Sequence, residues 1–255
     1  MSPLLITGLI IAALVVLMII GYINHMVDNS KLEKARKKAE FADRVRRCYN
    51  VSESFPGQFM TPPLKLALSR IELQYSERLL PFDKQNSALR ERIAELQQMI
   101  TRGEDIAVRN LPQAVLTEAN AKDVRFILED LHGVITRAAQ EHLYPANEAK
   151  NWIQEIRHML VQLHYEFFTN LGQQAMQKGQ PGQARLAYER GVQYLRKQPD
   201  PSRYKSQLKV LEQQLARANA VVLEAAAPAV EEASELTDGL KSLDENDWKK
   251  KNIYD

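Results

Sequence analysis

The side chains able to do chemistry are poorly spaced for it. The histidines are His25, His132, His142, His158 and His164. None sits in an HExxH pattern, which would set two imidazoles and a general-base carboxylate on one helix face. His158 and His164 are six residues apart and so fall on different faces of a helix, whereas a metal site needs ligands that converge. The one cysteine, Cys48, has no second thiol with which to form an internal disulfide or a CxxC pair. No glycine-rich phosphate loop and no nucleophile elbow occurs. Glu and Lys are abundant, but at helix-surface spacing, where solvation is the ordinary outcome. These residues predict no enzyme, no cofactor and no metal.

Recognition chemistry is easier to find. The segment 31–47 carries Lys31, Lys34, Arg36, Lys37, Lys38, Arg44, Arg46 and Arg47. The net charge of the whole chain is only +2, so bulk attraction to nucleic acid is not expected. The basic segment itself holds no aromatic but Phe41, with Tyr49 just beyond. Two readings of it stand. Either the charges fix membrane topology, or Lys31, Lys34, Arg36, Lys37 and Lys38 meet anionic lipid headgroups. At the other end, Glu224, Glu231, Glu232, Glu235, Asp238, Asp244, Glu245 and Asp247 stand against Lys241 alone, followed by Trp248 and Tyr254. Trp and Tyr anchor short peptides well, because they bury large area with few rotors. This tail either packs back on the body or docks as a linear peptide on a partner.

Residues 4–23 position everything after them. The run is aliphatic apart from Thr7, two glycines and Tyr22, and it carries no charge. About 20 apolar residues at roughly 1.5 Å each span a bilayer core as a helix. No Lys or Arg precedes the run and no Ala-x-Ala follows it, so the pattern is that of an uncleaved anchor rather than a signal peptide. The basic flank places the following domain in the cytoplasm and the N-terminus outside. A lone cysteine is compatible with a reducing compartment. The expectation is a single-pass protein of a bacterial inner membrane.

Beyond the anchor (1–27), the pattern is helical throughout, and the fold class is all-α. Residues 28–48 form a basic juxtamembrane helix with a narrow stripe, Leu32, Ala35, Ala39, Ala42 and Val45, suited to a stalk or weak coiled coil. Residues 49–63, with Asn50, Ser52, Ser54, Pro56, Gly57, Pro62 and Pro63, read as a linker. A helical-hairpin domain covers 64–224. Its helices are expected at 64–79, 83–101, 121–143, 145–178, after Gly182 to 197, and 201–224, the first two forming an antiparallel hairpin. The helix at 121–143 turns Val124, Ile127, Leu128, Leu131, Val134, Ile135 and Ala138 inward. Residues 225–255 form a flexible acidic tail.

One stretch resembles a known family. From Phe168 the chain reads Phe-Thr-Asn-Leu-Gly-Gln-Gln-Ala-Met-Gln-Lys-Gly-Gln-Pro-Gly-Gln-Ala-Arg-Leu-Ala-Tyr-Glu-Arg-Gly-Val. An aromatic stands three residues before Leu171-Gly172, Gly179 closes the first helix, and Ala184, Tyr188 and Gly191 follow on the second. This resembles a tetratricopeptide-repeat hairpin over about residues 168–197. The small residues let two helices approach, and Tyr188 fills the groove between them. Ala175 stands where the family usually has tyrosine, and the following proline comes late, at Pro199. The resemblance implies a protein-binding groove near Asn170, Gln174 and Arg185. Asn170 falls where some members hold a peptide's C-terminal carboxylate.

Two functions fit these patterns. One is a membrane-anchored cytoplasmic adaptor or scaffold that binds other proteins through the groove or through Trp248 and Tyr254. The other is a self-associating coiled-coil subunit of an envelope or cell-division assembly, suggested by heptad-like stretches at 89–100 and 204–222.

Overall fold

The computed structural model describes the backbone of residues 3–226, and the side chains of residues 17–224 apart from Glu104. Among the described residues seven α-helices run in order: α1 Pro3–Ser54, α2 Pro62–Leu79, α3 Ser87–Thr101, α4 Glu118–Gln140, α5 Ala146–Gln177, α6 Pro181–Arg196 and α7 Lys205–Ala226. Short 3-10 turns lie at Leu80–Phe82, Gly103–Asp105 and Pro201–Tyr204. No strand occurs among the described residues, so the chain is all-α. Two compact units divide it, Met1–Leu163 and His164–Asp255, with the boundary inside α5.

The helix ends follow from local chemistry. Before α2, Thr61 accepts from the Leu64 amide, and Pro62 and Pro63 occupy positions that have no helical acceptor to lose. Asn86 and Thr117 cap α3 and α4 in the same way. At the end of α5, Gly179 adopts φ +68°, and the Gln180 amide reaches back to Ala175 O at 2.9 Å. This left-handed closure suits glycine. The end of α4 closes by the same bonding, with Leu143 N on Ala138 O at 2.9 Å, yet His142 takes the left-handed position at φ 56°.

In the first unit α2 packs on α1 and α3, and α4 packs on α1. The core joins Cys48, Val51 and Phe55 to Leu64, Leu68, Ile71 and Tyr75, with Leu96 from α3 and Val124, Leu128, Leu131 and Ile135 from α4. The expected linker 49–63 is therefore corrected. Helix α1 runs to Ser54, and Val51, Phe55, Phe59 and Met60 are buried. The alanine stripe of 28–48 is corrected too: Leu32 and Ala42 are exposed, and the inward face runs through Phe41, Val45, Cys48, Ser52 and Phe55.

Among the described residues no helix is long and apolar enough to cross a membrane. Of the expected anchor, residues 4–16 lie outside the described side chains. Residues 17–23 are described, and Leu17, Met18, Ile19, Ile20, Tyr22 and Ile23 are all exposed.

In the second unit α6 packs on α7, and Ala184, Tyr188, Val192 and Leu195 of α6 and Leu211 and Ala218 of α7 are buried. His164 stacks on Tyr194 with ring centroids 4.6 Å apart. Both heptad-like stretches have residues buried inside the chain. Leu89 and Leu96 are buried where α3 meets α2, and Leu211 and Ala218 are buried where α7 meets α6.

Candidate protein-binding groove

The turn between α5 and α6 is fixed by Gly179 and by Pro181 in the first turn of α6. Close approach of the two helices is fixed by Gly172. A Cβ built there would meet Tyr188 Cε1 at 2.3 Å. Residues of both helices line an open groove of about 340 Å³. Leu171, Ala175, Leu186 and Ala187 give it an apolar floor, and Gln174, Gln180 and Gln183 supply amides. Among the described residues Lys178 and Arg190 are its charged residues, and no carboxylate lines it. A groove with an apolar floor, amides and two cations matches an acidic peptide that carries apolar side chains.

Of the residues expected from sequence, Gln174 lines this groove. Asn170 is half-buried one turn earlier on α5, and Arg185 is exposed on α6, but neither lines it. Trp248 and Tyr254 lie outside the described residues. Sequence reading missed Lys178, Leu186 and Arg190. The signal was present: Leu171, Ala175 and Lys178, then Gln183, Ala187 and Arg190, repeat with spacings of four and three, which puts each trio on one helix face.

The basic residues of α1 are exposed at Lys31, Lys34, Arg36, Lys37 and Lys38. Lys31 pairs locally with Asp28 at 3.4 Å. Lys38 instead reaches across the fold to Asp83 at 3.0 Å. Hydrogen bonds from Lys38 and Asn86 hold the Asp83 carboxyl below its ordinary range.

A second polar cluster is buried in the first unit. Glu72 is 1% exposed, and Arg92 grips it with Nε on Oε1 at 2.7 Å and Nη2 on Oε2 at 3.1 Å. The Arg92 guanidinium also lies over the Tyr49 ring at 5.0 Å. Burial pushes the Glu72 carboxyl up, and the Arg92 hydrogen bonds offset this only in part. Burial acts downward on Arg92 as the largest single influence, but the hydrogen bonds and charges of Glu72 and Glu95 together outweigh it and raise the guanidinium. Both directions hold together because desolvation falls mainly on the carboxylate, while Arg92 keeps some solvent. The Cys48 thiol donates to Leu68 O at 3.4 Å. Burial and the nearby Glu72 charge push it well above the ordinary thiol value, so it stays protonated. A protonated, buried thiol is a poor nucleophile. Among the described residues no group of three or more His, Cys, Asp or Glu is placed to hold a metal ion.

Against this geometry, no protein-family model, curated protein or solved structure matches the chain.

Proposed function

We propose that this chain is a membrane-anchored helical adaptor whose α5–α6 hairpin, a diverged tetratricopeptide-like unit, binds an acidic polypeptide at the cytoplasmic face of a bacterial inner membrane. The observation that carries the reading is the groove between α5 and α6, which has an apolar floor and two cations but no lining carboxylate among the described residues. The family likeness is supported by the fit of Gly172 against Tyr188 and by full burial of Ala184. Anchoring is supported by the uncharged run 4–23, by the cations that follow it, and by the exposure of its large side chains from Leu17 to Ile23.

The test places a photo-crosslinking residue at Leu186, which is exposed at the groove, in the full chain in its native membrane. A discrete adduct with another polypeptide is expected, and Lys178→Glu with Arg190→Glu should abolish it. An adduct that survives charge reversal counts against electrostatic recognition in the groove. Deleting residues 236–255 separates two outcomes. Loss of capture with an unchanged melting temperature assigns the contact to the tail peptide, and a lowered melting temperature makes the tail part of the body. A cytoplasm-dependent reporter fused after Asp255 should be active. Activity of an export-dependent reporter there would overturn the orientation.

A further inference from the structure

A second cavity, of about 580 Å³, opens at the C-terminal end of α1 within the first unit. This volume falls in the range of small-molecule sites. Phe55 and Pro56 supply one apolar wall, and Met99 and Ile106 supply another. Lys65 lines the cavity while only 7% exposed. Its ammonium has three donors. One meets Glu53 Oε1 at 2.9 Å and one meets Ser52 O at 3.4 Å. The third has no acceptor among the described residues. Arg102 and Arg109 add two exposed guanidiniums, neither of them ion-paired among the described residues. Among the described lining residues Glu53 is the one carboxylate, and Lys65 already holds it.

A helix C-terminus should repel an anion. Here two of its last carbonyls, and that of Phe55 just beyond, are covered. The Asn110 side-chain amide donates to Ser52 O at 3.0 Å, Glu53 O at 3.3 Å and Phe55 O at 2.9 Å. Among the described residues, then, three cations face the cavity against one paired carboxylate.

We propose that this cavity binds a small molecule with a carboxylate head, received by Lys65, Arg102 and Arg109, and an apolar body lying against Phe55, Met99 and Ile106. Charge-assisted N–H···O bonds hold the head, and burial of the apolar body adds the non-directional part. The site is independent of the α5–α6 groove.

The probe is 4-phenylbutyrate, titrated by calorimetry into the full chain in a neutral detergent, with 4-phenylbutyramide as its uncharged match. Saturable millimolar binding is expected, the range for a ligand of about a dozen heavy atoms. The amide should bind about tenfold more weakly, or not at all, because it lacks the charge. The double variant Arg102→Gln, Arg109→Gln changes only exposed side chains. It should keep its ligand-free melting temperature and lose affinity for the acid by about tenfold. Lys65→Met checks the buried donor in the same way, judged on variants that melt cooperatively. Equal affinity for acid and amide overturns the proposal, as does binding that the double variant leaves unchanged. Absence of saturable binding overturns it as well.

Discussion

Gly172 lies directly beneath the ring of Tyr188. A methyl group added at Gly172 would come within 2.5 Å of Tyr188 Cζ and 2.7 Å of Cδ1. Tyr188 is 1% exposed, so its ring has nowhere to retreat. Gly172→Leu should destabilise the second unit by roughly 1–3 kcal/mol through overpacking. Gly133 in α4 is the internal control. It is exposed, and nothing lies within 4 Å of an added Cβ. Gly133→Ala should stabilise by up to about 1 kcal/mol, the ordinary helix preference for alanine. Urea denaturation of both variants checks the pair, and the signs must be opposite.

The Glu72–Arg92 pair predicts a pH dependence of definite sign. Burial holds Glu72 above its ordinary value near 4.5. A carboxyl raised in the folded state binds its proton more tightly there than in the unfolded chain. Its contribution to stability is then fully present below pH 4.5 and is lost as pH rises through the folded value. The stability of the natural chain minus that of Glu72→Gln should fall across the mildly acidic range and then level off. A difference that grows with pH would mean that Arg92 attraction outweighs desolvation. Glu72→Ala, which strands a partly buried guanidinium, should cost about 3 kcal/mol at neutral pH, the low end for a broken buried pair because Arg92 retains some solvent.

Much of the helical framework is legible in the pattern of apolar residues. In α4, the six residues Val124, Leu128, Leu131, Val134, Ile135 and Ala138 are buried as their spacing requires, and Ile127 is half-buried beside them. The end of α1 was harder, because Asn50, Ser52 and Ser54 look like loop residues one at a time. Their context decides otherwise: Phe41, Val45, Cys48, Ser52 and Phe55 recur at spacings of four and three, the period of a buried helix face. A serine and a cysteine within that stripe hid it. The end of α4 was obscured for another reason. A histidine, His142, fills the left-handed position where glycine is the usual marker. The groove beside Gly172 was legible in outline but its lining was not, because Lys178 and Arg190 look like ordinary surface charges until α5 and α6 are set side by side.

The clasp at Asn110 was not legible at all, since its partners lie more than fifty residues away in sequence. The segment around it reads as a plain loop, yet it is tied down at successive points. Gly57 N donates to Leu111 O at 2.9 Å, and Gln58 and Gln113 exchange two hydrogen bonds at 2.7 and 2.9 Å. Gly57 is required for this approach, because a Cβ there would sit 2.2 Å from Asn110 O. The Asn110 amide in turn serves the carbonyls at the end of α1, which have no helical donor of their own. Asn110→Ala removes that donor and leaves partly buried acceptors short of a partner, at a cost of about 1–3 kcal/mol. Asn110→Asp should do no better, because a carboxylate cannot donate and would add charge beside those carbonyls. Hydrogen exchange gives the local reading: amides in the last turn of α1 and at Gly57 should lose protection in Asn110→Ala, while those of α6 and α7 keep theirs. Uniform loss across both units would show instead that the clasp stabilises the chain as a whole and does not act locally at the end of α1.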